Sequence, residues 1–265
     1  MQGTRTPLST WFWGAYLVTT QTPGQSALQF QRQLGLDRYE TVFQILHKLR
    51  SGMVRPGRDK IGGEYPVEVD ETLVGGRTRG EGRGVHHKAL VVGAVEVRTR
   101  KPKENKAASG RAEREGGKSK RRLTYAGRLR LAVVADRKGP SLTAFVEQNV
   151  AKGSVVRTDG WQGYDGLPGL GFKHDPIVIA GDQSRTEKHL PTSHLVFSNL
   201  KTWIDGTHHG VSQQHLPAYL NEYVFRFNRR FYPMTAFNSI LGLAAHTMSP
   251  TYEQLYRGKP GHAPV

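Results

Sequence analysis

Two hydrophobic periods divide the chain. From residue 7 to 53 no run is strand-like, and apolar positions recur at helical spacing, notably Phe30 and Leu34, then Tyr39, Val42, Phe43, Leu46 and Leu49. Within this stretch, SALQFQRQLGLDRYETVFQILHKLR predicts a helix, a tight turn over Leu34-Gly35-Leu36-Asp37, and a second helix capped by Asp37 with basic residues near its end. Such a pair suits a helix-turn-helix that reads DNA and equally a helical hairpin that packs on a neighbour.

Beyond the Gly/Pro-rich segment VRPGRDKIGGEYP the period changes to two. Strands are predicted at Val67 to Val74, Ala89 to Val97 and Arg128 to Asp136. The run RTRKPKENKAASGRAEREGGKSKRR, between the second and third, is too polar to bury anything and predicts a disordered excursion over 98–128. A helix at Leu142 to Ala151, entered through Ser141, precedes strands at Ser154 to Thr158 and near Phe172 to Ile179. Helices follow at His189 to Trp203, Gln213 to Arg230 and Met234 to Thr247. No internal repeat is present. This order predicts an α/β architecture, a mixed central sheet flanked by helices and preceded by a small all-helical, helix-turn-helix-like unit. The expected division is 1–54 for the helical unit, 55–66 for a linker, 67–233 for the sheet domain with its insertion, and 234–265 for a C-terminal helix and tail.

Composition adds a partner. At 265 residues and 37% apolar content the chain can bury a core without staples. It has no cysteine, which excludes a disulfide scaffold, a thiolate nucleophile and a cysteine-built zinc site. The apolar stretch Trp11 to Val18 is too short to span a bilayer and lacks signal-peptide flanks, so a soluble, cytoplasmic protein with no membrane partner is expected. The net charge is +16. Residues 98–128 hold twelve Lys and Arg against three Glu, and the +7 left for the remaining chain is still basic enough to attract phosphate backbones.

The candidate chemistry lies in the sheet domain. Asp70 sits in an otherwise apolar strand, VEVDETLV, where a carboxylate is costly unless it faces a site or a partner; Glu68 shares its face and Glu71 takes the other. Asp159 ends a strand before Gly160, a pattern equally suited to a turn aspartate. His194 follows 35 residues later, and Lys201 stands two helical turns beyond it on the same face. Candidate phosphate contacts are Lys201, Arg226, Arg229 and Arg230 in the later helices and Lys48 and Arg50 in the front-end helix. Trp161 and Tyr164 read as core packing or as a platform for an unpaired base. The pair His208-His209 with Tyr219 and Tyr223 superficially suggests a histidine-dyad nuclease, but adjacent histidines face opposite ways in a strand.

The strings VEVDETLVGG, VVGAVEV, GSVVRTDGWQGY, FSNLKTWIDGTHHGVS and HLPAYLNEYVFRFNRR resemble those of insertion-sequence DDE-type transposases, the ISXO-two-like group of the IS-fifteen-ninety-five family. The likeness runs from about Val67 to Arg230. It implies a ribonuclease-H-like catalytic domain and cleavage at transposon ends followed by strand transfer into target DNA. It also implies two divalent ions, Mg or Mn, and a dimer or larger assembly on double-stranded DNA. The implied catalytic set is Asp70, Asp159, His194 and Lys201, with the first three as metal ligands. His194 stands where many members carry Glu or Asn; a neutral imidazole lowers the charge of the cage and favours manganese-like ions. That leaves an alternative, a catalytically impaired or domesticated transposase that binds DNA. Many relatives begin with a cysteine-rich zinc ribbon, and this chain is expected to be a form without one.

Overall fold

The computed structural model describes residues 4–22, 24–55, 57–75, 88–100, 124–177 and 190–256. The period-two segments form β1 (Val67–Gly75), β2 (Lys88–Thr99), β3 (Thr124–Val134), β4 (Val155–Thr158) and β5 (Lys173–Pro176), one sheet in the order β3-β2-β1-β4-β5. β1, β2 and β3 pair antiparallel, while β4 runs parallel to both β1 and β5. The expected excursion over 98–128 is shorter than the charge pattern suggests, because both its ends are strand: β2 runs through Thr99 and β3 begins at Thr124. These ends pair, with a register shift between Val95 and Val97. Residues 101–123 lie outside the described residues.

Alternation decides which side chains meet which helix. Val67 and Val69 on β1 join Val92 and Val156 in a core closed by Leu142, Phe145 and Val146 of α4 (Gly139–Asn149). The helix starts two residues before Ser141, and its entry is held by Asp136, whose Oδ1 accepts bonds from Lys138 N at 3.0 Å and Ser141 Oγ at 2.7 Å. On the opposite face Val74, Val91, Leu129 and Leu131 pack under α5 (Pro191–Trp203) and α6 (Leu216–Asn228). Gly93 sits beneath α5, where a Cβ would come within 2.9 Å of Leu131 Cδ2 and of the Phe197 ring. The missing side chain lets α5 press onto the sheet directly beside Asp70, the register partner of Gly93.

The front end is helical as its periodicity predicts: α1 (Leu8–Thr20), α2 (Ala27–Leu34) and α3 (Tyr39–Ser51). Ser26 caps α2 by accepting from Gln29 N at 3.2 Å, and Gly35 closes it in the left-handed region at φ 61°. The α3 cap position falls on Arg38, whose side chain makes no capping bond, rather than on Asp37. Ala236 and Ile240 of α7 (Pro233–Ala244), the expected C-terminal helix, share a core with Trp11, Phe30, Val42, Leu46 and Leu49 and with Phe225 of α6. A short α8 (Tyr252–Tyr256) follows, which the sequence pattern did not announce. Val42, Ile45, Leu46, His47, Leu49 and Arg50 of α3 are all buried, as both readings of the α2-α3 pair require of its inner face. Arg50, expected to contact DNA, is 1% exposed and bonded through Nε to Glu222 Oε2 of α6 at 2.8 Å.

Candidate active site

β1 and β4 bring the two aspartates together. Glu68 pairs with Arg157 in parallel register, so Asp70, two residues further along β1, and Asp159, just past the end of β4, lie at the same end of neighbouring strands. Asp159 follows the last residue of β4, and Gly160 turns the chain at φ 76°, a conformation that disfavours any side chain. Asp159 Oδ1 accepts from Trp161 N at 3.0 Å, so it is both the turn aspartate and a neighbour of Asp70. Burial, then the charges of Glu71 and Asp159, hold the Asp70 carboxyl up at about 7, against a bond from Glu71 N and the charge of Arg137. Such an accumulation of negative charge and hard oxygens is what a divalent cation neutralises.

A second layer supports Asp70 and Asp159 from the other face of β1. Glu71 shares the face of Val69, as the alternation predicts, and accepts a 2.6 Å bond from Tyr164 Oη and an ion pair from Arg137. Arg137 lies 3.9 Å from Asp159 Oδ2 and 4.9 Å over the Trp161 ring, whose Nε1 donates to Arg137 O. Tyr164 is fully buried, and burial followed by Glu71 pushes its hydroxyl well above the usual tyrosine range. Trp161 remains 37% exposed at the lip of the site. Sequence reasoning singled out neither Arg137 nor the role of Glu71. The only signal was a second acid beside Asp70, because its partners come 66 and 93 residues later.

α5 reaches the site through Glu68. This buried carboxylate accepts Thr192 N at 2.9 Å and Ser193 N at 2.8 Å, neutralising the positive end of the helix. Burial nonetheless leaves the Glu68 carboxyl above the usual range. His194 is the next residue, half-buried in the first turns of α5, on the Asp70 side of the sheet. The helix lies over β1 and β2 rather than across the edge shared by β1 and β4. Lys201 is exposed two turns further on. Among the described residues no three His, Asp or Glu side chains stand together as a finished metal cage. The donors that feel each other's charge, Asp70 and Asp159, are hard oxygens of the kind a divalent ion takes.

The other candidates separate. Lys48 is half-buried on the front-end helix. Arg226 bonds Glu222 Oε1 at 3.3 Å and the Gln21 carbonyl, and Arg230 bonds the Phe227 and Ala126 carbonyls, so both have packing roles. His208 packs edge-on against Trp203 and Tyr219 in the helical turn after α5, away from the geometry of a histidine dyad.

A five-stranded mixed sheet in this order, with acidic residues on β1 and just after β4 and helices on both faces, defines a ribonuclease-H-like transposase domain. Residues 60–228 match the model of the ISXO2-like transposase domain, and the chain belongs to that family. No curated protein and no solved structure matches the chain. No helix among the described residues is long and apolar enough to cross a membrane.

Proposed function

We propose that this transposase cuts DNA at transposon ends and joins the freed 3′ hydroxyl to target DNA, with Asp70, Asp159 and His194 as ligands of two divalent ions, Mg or Mn. The observation that supports the reading is the parallel β1–β4 pair, which brings Asp70 and Asp159 to one end of neighbouring strands, where Asp159 helps to raise the Asp70 carboxyl. Asp70, Asp159 and His194 would hold such ions, whose chemistry there would be activation of a water or hydroxyl nucleophile and charge stabilisation of the departing oxygen. The chain's own part is positional. Arg137 and Tyr164 fix Glu71 and, through Arg137, the Asp159 turn. Glu68 fixes the start of α5, and with it His194. Lys201 on the exposed face of α5 holds a phosphate near the break, and two copies of the chain assemble on the paired ends.

Mn²⁺-dependent nicking of duplex DNA carrying the element's ends, lost in Asp70→Ala and in Asp159→Ala, supports the enzyme. The second reading, a DNA-binding protein without chemistry, draws on His194 in place of a carboxylate and on the absence of a finished cage among the described residues. Salt-sensitive binding with no nicking under any divalent metal favours that reading.

A further inference from the structure

Five arginines converge where the linker crosses the edge strand of the sheet. Arg55 and Arg58 come from the linker, Arg128 and Arg130 from β3, and Arg229 from the end of α6; with Asp59 they line a pocket of about 330 Å³. Arg128 is answered by buried Glu96, at 2.8 Å. The others are not matched in this way. Arg58 Nη2 donates to Asn149 Oδ1 at 2.9 Å, Arg130 donates to the carbonyls of Leu129 and Asp59 at 3.0 and 2.9 Å, and Arg229 Nη1 donates to the Phe225 carbonyl at 3.3 Å. All these partners are neutral, and no carboxylate among the described residues pairs with Arg58, Arg130 or Arg229.

Arg130 is the telling member. It is only 6% exposed, yet its Nε has no hydrogen-bond partner. A buried guanidinium with an idle donor costs free energy unless something enters to use it. Burial, and then the charges of Arg58 and Arg128, hold Arg130 down at about 10, while burial also lowers Arg58 and Arg229. With the Arg58 and Arg229 guanidinium groups lining the same pocket beside it, this cluster of donors without a matching carboxylate suits the oxygens of a phosphate. The site lies on the same sheet as the aspartates. Arg130 is in register with Ala94, which pairs with Val69 beside Asp70, so the backbones of Arg130 and Val69 are two strands, about 10 Å, apart.

We infer that this linker pocket, centred on Arg130, Arg58 and Arg229, is a binding site for a backbone phosphate of DNA held across the junction between the front-end helices and the sheet domain. The inference rests on the reading of the chain as a protein that acts on DNA, and it is independent of whether the aspartates cut. Its test therefore runs in EDTA, on the full chain, with duplex DNA titrated by fluorescence anisotropy between about 0.05 and 0.3 M salt.

Arg130→Gln and Arg58→Gln are each expected to lower the magnitude of the slope of log affinity against log salt by about one phosphate's worth and to weaken binding several-fold at 0.1 M salt. Arg130→Lys keeps the charge while losing the fork, and is expected to keep the slope and lose part of the affinity. Circular dichroism and melting on each variant show that the fold persists; where Arg130→Gln does not fold, Arg58→Gln and Arg229→Gln on the pocket rim decide. An unchanged slope in folded variants overturns the inference. Stabilisation of the wild type by inorganic phosphate, lost in Arg130→Gln while the DNA slope stays fixed, also overturns it by assigning the pocket to a free anion.

Discussion

Removing Glu222 tests how the front-end helices are fastened to the sheet domain. Arg50 of α3 and Glu222 of α6 are each 1% exposed and meet at 2.8 Å, with the Arg50 guanidinium 3.8 Å over the Tyr219 ring and Arg226 on the other carboxylate oxygen. Burial alone would raise the Glu222 carboxyl, but Arg50 and then Arg226 hold it below its ordinary range. Glu222→Ala strands two guanidinium groups, one of them fully buried, and loss of one partner from such a pair costs about 3–5 kcal/mol. At about 2–4 °C per kcal/mol for a chain of this size, the melting temperature drops by roughly 6–20 °C. Arg50→Met combined with Glu222→Leu replaces the pair with apolar volume and should recover most of that loss, because the desolvation of both charges is removed together. Urea unfolding of the wild type, Glu222→Ala and the double variant reads the numbers directly. A loss below about 1 kcal/mol for Glu222→Ala, or a double variant no better than the single, would refute the assignment of this pair as the fastening between α3 and α6.

Three further outcomes follow from particular contacts. Glu68→Ala leaves Thr192 N and Ser193 N without their acceptor, so it should cost about 2–4 kcal/mol in calorimetry, and nicking should fall with it because α5 carries His194. His208 is held neutral down to about 4 by burial, and then by Arg50, Arg226 and His209 against Glu222. Between pH 4 and 6.5 the unfolded chain binds a proton that the folded chain refuses, so stability rises with pH across that window by up to about 3 kcal/mol. The difference curve between wild type and His208→Gln isolates this, and a flat difference would contradict it. Tyr164→Phe, which removes the 2.6 Å bond to Glu71, should destabilise by about 1–2 kcal/mol and lower nicking more than binding, measured by comparing turnover with anisotropy on the same DNA.

Where a local pattern decides structure, the sequence was legible. β1 is read to within a residue because Val67 and Val69 alternate with Glu68 and Asp70, and because both faces of that strand meet a core, the second one through Val74. The start of β3 was placed four residues late, since Thr124 to Gly127 look like the edge of the charge run and become strand only by pairing with the far end of β2. Asp70 stood out because a carboxylate in an apolar strand asks for a reason, whereas Asp159 could be told from a turn residue only through its partner. Arg50 misled for the opposite cause. A basic residue at a helix end looks exposed until a glutamate 172 positions later buries it. Glu71, Arg137 and Tyr164 make the same point, as a cluster assembled by topology leaves no periodic trace.

The account turns on one cation site shared by β1, the turn after β4 and the start of α5. Fe²⁺ with ascorbate, loaded into the protein in place of the native ion, cleaves the backbone wherever the ion is held, and mass spectrometry of the fragments maps it. The prediction is three cuts, close to residues 70, 159 and 194, all suppressed together by excess Mn²⁺ and by either Asp70→Ala or Asp159→Ala. Cuts near only one aspartate, or cuts at one that survive loss of the other, would contradict it.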